Sequence, residues 1–249
     1  MSESRRILEI TGADRRDFLQ GLVTNDVTKL DQGLVYAALL SPQGKYLFDF
    51  FMFARADAIY LDVKADCADA LAARLAMYRL RADVKLTQSA LRMSRGIGKK
   101  PEGAWPDPRH PALGWRQYDR APIPADQTDW TALRVQHIIP ETGVELIANE
   151  SYILEHGFER LNGVDFRKGC YVGQEVTARM KHKTSLKKGL VQVCAERPLT
   201  PGAPITHDGK EVGRLCTVSK NRALAYLRFE RAGDGMEAGG VGLTIAGKP

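Results

Sequence analysis

The sequence is poor in cysteine and in long apolar runs. Four cysteines are scattered over 249 residues, with no Cys-x-x-Cys pair and no neighbouring histidine. This scatter argues against a disulfide framework and against a self-contained zinc or iron–sulfur site, so no metal site is predicted. No stretch approaches the roughly 18 apolar residues of a membrane span, and the start MSESRRILEI has no signal-peptide run. These absences predict a cytoplasmic protein without a membrane contact.

Positive charge is concentrated in one segment. The net charge is +6, and residues 179–188, RMKHKTSLKK, hold five Lys or Arg residues and no acid. The segment could bind nucleic acid or another anionic partner. It could equally be a solvated turn before a strand, the commoner case for basic runs without interleaved aromatic residues. A small anionic ligand is a third interpretation.

Apolar periodicity predicts an α+β first part and an all-β last part. The predicted strands lie at residues 7–10, 34–40, 46–54, 58–63, 82–87, 91–94, 190–195, 211–218 and 223–229. The predicted helices lie at residues 14–22, 66–80 and 129–138. Residues 96–124, rich in Gly, Pro and charge, have the composition of a linker or long crossover.

One short segment, KGCYVGQE at 168–175, combines residues that chemistry could use. Cys170 stands between two glycines and follows Lys168, and nearby cations favour the reactive thiolate. Glycines permit unusual backbone angles or the close approach of a ligand. Glu175 and Arg179 have the i, i+4 spacing of a helical ion pair. The alternative is a Gly-rich turn with a buried cysteine, and local chemistry leaves both interpretations open.

The surrounding sequence resembles the YgfZ family, folate-binding relatives of the glycine-cleavage T-protein. The most specific match is NGVDFRKGCYVGQEVTAR at 162–179. Four further segments resemble family motifs in the same order: FLQGLVTNDV at 18–27, SPQGKYLFD at 41–49, DPRHPALGWR at 107–116 and DGKEVGRLCTVSKNRALAYLR at 208–228. The resemblance therefore covers nearly the whole chain.

The resemblance implies a T-protein-like α+β fold of three domains in a ring around a folate channel, one of them ferredoxin-like. It implies a discontinuous folate-binding domain, 1–40 with 96–188, and an inserted ferredoxin-like domain at 41–95. A small β-barrel at 189–249 would complete the chain, which agrees with the all-β pattern there.

The resemblance also implies site residues. Cys170 would be the functional thiol, with Lys168 beside it. Glu155 would accept hydrogen bonds from the pterin of tetrahydrofolate, because a carboxylate matches its adjacent donors; alternatively it is a surface acid at a helix start. Tyr60 matches an aromatic residue near the pterin, or is an ordinary strand tyrosine. The remaining implied folate contacts are Tyr171, Gln174, Glu175 and Arg179.

One departure from the T-protein pattern bears on catalysis. T-proteins carry an acidic pair on the second hairpin strand, and the second acid is catalytic. The corresponding residues here are taken as Asp49 and Phe50. Since a phenyl ring cannot stabilise a charged amine, aminomethyl transfer is expected to be lost.

The predicted function is that of an accessory protein, not an ordinary turnover enzyme. It would bind tetrahydrofolate and support assembly or repair of iron–sulfur clusters, with assembly proteins or client enzymes as partners. Through such clients it would affect tRNA modification. The alternatives are a folate-dependent aminomethyl transferase and an RNA-binding module built on residues 179–188.

Overall fold

The chain folds into two compact units in the computed structural model. The structure describes residues 4–124, 127–183 and 185–247. The first unit comprises residues 1–128 and 161–174, and the second comprises residues 129–160 and 175–249. Within the described residues, no helix combines the length and the apolarity that crossing a membrane requires.

The first unit is built on a five-stranded antiparallel sheet in the order β2-β3-β4-β1-β5. Its strands and helices, in chain order, are β1 (Arg5–Thr11), α1 (Arg15–Gln20), β2 (Val35–Leu40), β3 (Tyr46–Arg55), β4 (Ala58–Lys64), α2 (Ala68–Arg79) and β5 (Lys85–Gln88). Each element predicted from residue 7 to residue 87 is present. Helix α1 is shorter than predicted and ends at Gln20.

Strand β3 is buried on both of its faces. Phe50 and Met52 belong to the apolar core that also contains Leu71 of α2. Because side chains alternate along a strand, Asp49 and Phe51 lie on the opposite face of the sheet. Burial on both sides explains why β3 reads as a nearly continuous hydrophobic run and hides its alternation.

The opposite face is covered by part of the segment predicted to be a linker. This segment contributes to a second sheet of three strands, β6 (Arg92–Gly96), β7 (Trp105–Pro106) and β8 (Trp115–Asp119), in the order β6-β8-β7. The guanidinium of Arg116 on β8 lies 3.7 Å from the ring centroid of Phe51. The linker prediction is therefore wrong for the residues of β7 and β8.

Charged side chains are buried between these layers and form what we call the buried charge cluster. Its members are Arg5, Asp62, Asp107, Arg109 and Arg116. Arg116 donates to Asp62 Oδ2 and to Asp107 Oδ2, each at 2.9 Å. Such residues look solvent-exposed in the sequence, and this explains why the covering strands were missed.

The predicted boundary between residues 40 and 41 falls between β2 and β3. These two strands pair with each other, and β1 and β2 share one sheet with the strands of residues 41–95. The three-part division of the chain stays a prediction.

The second unit contains α3 (Trp130–His137), α4 (Gln174–Lys183) except for its first residue, and a seven-stranded antiparallel sheet. The strands are β9 (Lys188–Cys194), β10 (Pro204–His207), β11 (Lys210–Ser219), β12 (Arg222–Arg228), β13 (Glu237–Ala238), β14 (Val241–Gly242) and β15 (Thr244–Gly247), in the order β14-β13-β10-β11-β12-β9-β15. Between residues 189 and 247 the structure shows strands and no helix, as predicted. Residues 179–183 lie in α4, so the turn interpretation is wrong for them.

Candidate functional site

Residues 165–174, here called the thiol loop, are attached at their first residue to the segment that follows α1. The backbone N–H of Asp165 donates to Thr24 O at 3.0 Å. Its carboxylate pairs with Lys29 Nζ at 2.7 Å and accepts from the backbone N–H of Arg167 at 2.7 Å. Burial would raise the pKa of Asp165, but these hydrogen bonds outweigh it and hold the pKa below its ordinary value.

Lys168 fastens the loop a second time. Its Nζ donates to the carbonyls of Gln20 and Val23 at 2.7 and 2.5 Å, and it lies 5.1 Å from the ring centroid of Tyr171. The last carbonyls of a helix have no partner within the helix, so Lys168 satisfies groups that α1 leaves open. Burial lowers the pKa of Lys168 to about 8, against the opposing effect of Asp26 and Asp165. Lys168 therefore stabilises the loop, in addition to its predicted role beside the Cys170 thiol.

The two glycines of the motif are not equivalent. Gly173 has φ +82°, and a Cβ there would stand 2.4 Å from Ser41 O in the β2–β3 hairpin. Gly169 has an ordinary φ, and outside its chain neighbours no described atom lies within 4 Å of where its Cβ would stand. Only the second glycine is required by the fold. Val172, just before it, packs against the core of the first unit.

Cys170 lies between Lys168 and Gly173 and is exposed, so the alternative of a buried cysteine is wrong. Cys67 and Cys194 are half-buried, and Cys216 is buried. Burial raises the pKa of the Cys67 thiol, and it raises the pKa of the Cys216 thiol to about 11. Cys170 is therefore the thiol most open to a partner; its role as the functional thiol stays a prediction.

Among the other motif residues, Tyr171 and Gln174 stabilise the loop, whereas Glu175 and Arg179 lie on the surface. Tyr171 is half-buried, and its backbone N–H donates to Gln174 Oε1 at 3.1 Å, so Gln174 closes the loop where α4 begins. Glu175 and Arg179 are exposed on α4. Their contacts with folate stay predictions.

Tyr60 lies on β4, the central strand of the first unit's sheet, between Glu9 of β1 and Phe53 of β3. Its hydroxyl donates to Glu9 Oε1 at 2.9 Å, and its ring stacks on Phe53 with centroids 5.0 Å apart. Burial and the Glu9 carboxylate raise the pKa of Tyr60. It lines an open cavity of about 430 Å³ together with Arg15 and Arg55. This cavity offers a ligand an aromatic ring, two cations and two acids, Glu9 and Asp57, and Asp57 pairs with Arg15.

Glu155 belongs to a polar cluster of the second unit. Its Oε2 accepts from the hydroxyl of Tyr226 at 2.6 Å, and its side chain is half-buried. Burial and Glu155 raise the pKa of Tyr226. His156 stacks on Tyr226 with centroids 5.4 Å apart, and burial lowers the pKa of His156. Glu155 is thus a carboxylate held by Tyr226 through one oxygen, and its contact with a pterin stays a prediction.

The comparison of residue 50 with a catalytic acid was wrong. Phe50 is fully buried in the apolar core, so an acid at that position would not reach a polar site. The carboxylate on the polar face is Asp49, which accepts from the hydroxyls of Tyr36 and Tyr46 at 2.9 and 2.7 Å. The missing acid at position 50 therefore does not bear on catalysis.

Sequence reasoning missed the two residues that hold the chain just before the thiol loop. Thr24 and Asn25 connect residues 162 and 163 to strand β2. The hydroxyl of Thr24 donates to Gly163 O at 2.6 Å. Asn25 Nδ2 donates both to Asn162 O and to Tyr36 O of β2. The signal was present as TND in a segment that resembles a family motif. Helix capping accounts for only one of these three residues, Asp26, whose side chain accepts from Thr28 N.

Comparisons with known proteins agree with this organisation. Residues 187–248 match the family model of the CAF17 C-terminal beta-barrel domain, so the predicted barrel is confirmed. A solved glycine cleavage system aminomethyltransferase T from Bartonella henselae superposes with a TM-score of 0.75, 13% sequence identity and coverage of 97% of this chain and 82% of that chain. This likeness confirms the T-protein-like α+β fold.

The similar curated proteins are iron–sulfur cluster assembly factors. The IBA57 homolog of Mycosarcoma maydis is 31% identical over 236 residues, which cover 82% of this chain and 59% of that protein. Human IBA57 is 29% identical over 273 residues, covering 92% of this chain and 77% of that protein. Both are named mitochondrial, as are further relatives. This finding overturns the prediction of a cytoplasmic location.

The thiol loop, the Glu155 cluster and the Tyr60 cavity therefore belong to a chain of known fold with named relatives. That fold is the one of aminomethyltransferase T, and the relatives are assembly factors for iron–sulfur clusters.

Proposed function

We propose that this protein binds tetrahydrofolate and assists the assembly or repair of iron–sulfur clusters, with Cys170 as its functional thiol. The observation that carries the proposal is the exposed thiol on a loop fixed on both sides, by Lys168 and by Gly173. A flexible surface cysteine would need none of these attachments. The relatives of the chain supply the iron–sulfur part of the proposal.

Cys170 would supply one thiolate ligand or one reactive thiol, and a partner protein would supply the other ligands of the cluster. The described residues contain no group of three or more His, Cys, Asp or Glu side chains placed to hold a metal ion. The thiolate is the form of cysteine that ligates metals. The cluster would therefore be cargo that the protein helps to assemble or repair. Cluster-dependent client enzymes, among them tRNA-modifying enzymes, would show the effect of losing the protein.

The test is loss of the gene followed by complementation. Wild type and Cys194→Ser, a matched change at a half-buried thiol of the barrel, should restore the activity of cluster-dependent enzymes. Cys170→Ser should fail while accumulating to the same level. Full restoration by Cys170→Ser would remove the thiol from the function.

Tetrahydrofolate would be recognised through its pterin, whose adjacent donors the Glu155 carboxylate of the second unit would accept. The cavity at Tyr60 in the first unit is a separate candidate site for an anionic ligand, through Arg15 and Arg55. When bound, the folate would supply one-carbon or redox chemistry, and the protein groups would hold and orient it.

Calorimetry with Glu155→Gln tests the folate part. Losing a charged hydrogen-bond acceptor should cost about 1.5–3 kcal/mol, which is more than tenfold in affinity. Tyr226→Phe is the matched control, because it removes the hydrogen bond to Glu155 and leaves the carboxylate; we expect a smaller loss. Equal affinities of wild type and Glu155→Gln would exclude Glu155 from the site.

A folate-dependent aminomethyl transferase is the second candidate, because Asp49 retains a carboxylate on the polar face of β3. Its two tyrosine partners and its burial leave it little access to a substrate amine. We therefore expect no methylenetetrahydrofolate from an aminomethyl-loaded carrier protein. Product that disappears in Asp49→Asn would establish the transferase instead.

A further inference from the structure

Helix α2 is apolar on two sides. Ala68, Leu71 and Leu75 face the core of the first unit, as the helix period predicts. An ordinary surface helix carries polar residues on the other side. Here the exposed positions at i, i+3 and i+7 are Ala70, Ala73 and Met77, and Leu80 follows at the helix end.

Two of these side chains are large and strongly exposed. Met77 is 68% exposed and Leu80 is 88% exposed. Leu80 also has a positive φ of +42°, which residues with a side chain rarely adopt. Neither the backbone nor burial within the unit favours leucine at this position. With the alanines, the two residues form a surface that we call the α2 outer face: Ala70, Ala73, Met77 and Leu80.

Cations surround the end of this face. Residues 74–85, RLAMYRLRADVK, carry Arg74, Arg79, Arg81 and Lys85. In the part of the chain that the structure describes, none of these four forms an ion pair. The one acid of the segment, Asp83, accepts from the backbone N–H of Ala13. The helix dipole accounts for a cation in the last turn, but it does not account for the exposed Met77 and Leu80.

An apolar face whose C-terminal end is flanked by cations fits a particular kind of partner. We propose that the α2 outer face docks another protein through an amphipathic helix whose apolar residues are flanked by Asp and Glu. The small alanines let a second helix approach closely, Met77 and Leu80 supply the apolar anchors, and the arginines pair with the acids. The proposal rests on neither Cys170 nor folate.

Three other occupants fit less well. A second copy packed parallel to α2 would bring arginines against arginines, and one packed antiparallel would set them against Asp69, which already pairs with Arg6. A membrane surface is entered by a row of bulky and aromatic residues, whereas two of the four residues of this face are alanine and none is aromatic. Single-stranded RNA stacks on exposed aromatic rings, and Tyr78, the aromatic residue of α2, packs against the core.

Site-specific photo-crosslinking tests the surface in cells. A photoreactive amino acid replaces Ala73 in the full chain, and the same residue at exposed Ala90 is the matched control. We expect an adduct at position 73 alone, with a protein whose crosslinked segment is an acidic amphipathic helix. No adduct above the control, or an adduct with a second copy or with a segment that is not acidic, would overturn the proposal.

Binding of the purified partner then separates docking from folding. Arg79→Glu should weaken binding about tenfold or more, and Arg120→Glu, a change at an exposed arginine elsewhere, should leave it unchanged. Leu80→Gly should weaken binding while the melting temperature holds or rises, because glycine suits φ +42°. Wild-type affinity in both Arg79→Glu and Leu80→Gly would refute the docking surface. So would binding of the chain to anionic phospholipid vesicles or to an RNA oligonucleotide that Arg79→Glu abolishes.

Discussion

The thiol loop and the buried charge cluster lie in the same unit and use polar residues in opposite ways. In the cluster every side chain is largely buried and paired, as in the two bonds of Arg116 to Asp62 and Asp107. In the thiol loop, Lys168 and Asp165 are engaged with the protein, but Cys170 faces solvent. A dense group of charges therefore does not mark a functional site. What marks the candidate site is instead an exposed cysteine thiol on a loop that hydrogen bonds and packing hold in place.

Breaking the buried charge cluster should have the largest effect on stability. Arg116→Met leaves the carboxylates of Asp62 and Asp107 buried without one of their charged donors. Removing one partner of a buried ion pair costs about 3–5 kcal/mol, and we expect that loss in urea denaturation. Arg120→Met, at an exposed position nearby in sequence, should stay within about 0.5 kcal/mol of wild type. A small loss in Arg116→Met would mean that the cluster is not a structural element.

The two glycines of the thiol loop should respond very differently to alanine. Gly173→Ala forces a left-handed residue, costing about 1–2 kcal/mol, and brings its Cβ against Ser41 O. Gly169→Ala should change the free energy of unfolding by less than about 0.5 kcal/mol. Denaturation of the matched pair measures the difference. Equal effects would contradict the account of how the loop is fixed.

Removing the second attachment of the loop should cost less. Lys168→Met leaves the carbonyls of Gln20 and Val23 without their donor, for a loss of about 1–2 kcal/mol. The exposed Arg167→Met is its control.

The loss in Lys168→Met should also depend on pH. The pKa of Lys168 is about 8 in the folded protein and about 10.4 in the unfolded chain. Between these values the unfolded state binds one more proton than the folded state, so wild-type stability gained at this residue rises with pH. The difference between wild type and Lys168→Met should therefore grow from pH 7 to pH 10, and a shrinking difference would contradict this reasoning.

Part of this picture was predictable from the sequence, and the missed part has a physical reason. The strands and helices from β1 to β5 follow from local periodicity, and motif resemblance led to Cys170. The sequence could not distinguish Gly169 from Gly173, because the difference depends on a contact with Ser41, 132 positions away in the chain. Phe50 was misread because β3 is buried on both faces, and strand β8 was missed because Arg116 looks like a surface residue.

The central claim is that Cys170 is the most accessible of the four thiols. The relative rates at which the four cysteines are alkylated test this claim most directly. Alkylation of the folded protein at pH 8, read by peptide mass, compares them in one sample. Cys170 should label first, and Cys216 last among the four, because a pKa of about 11 leaves only about one thiolate in a thousand at that pH. If Cys170 labels last, or only in denaturant, the loop does not present its thiol and the account is wrong.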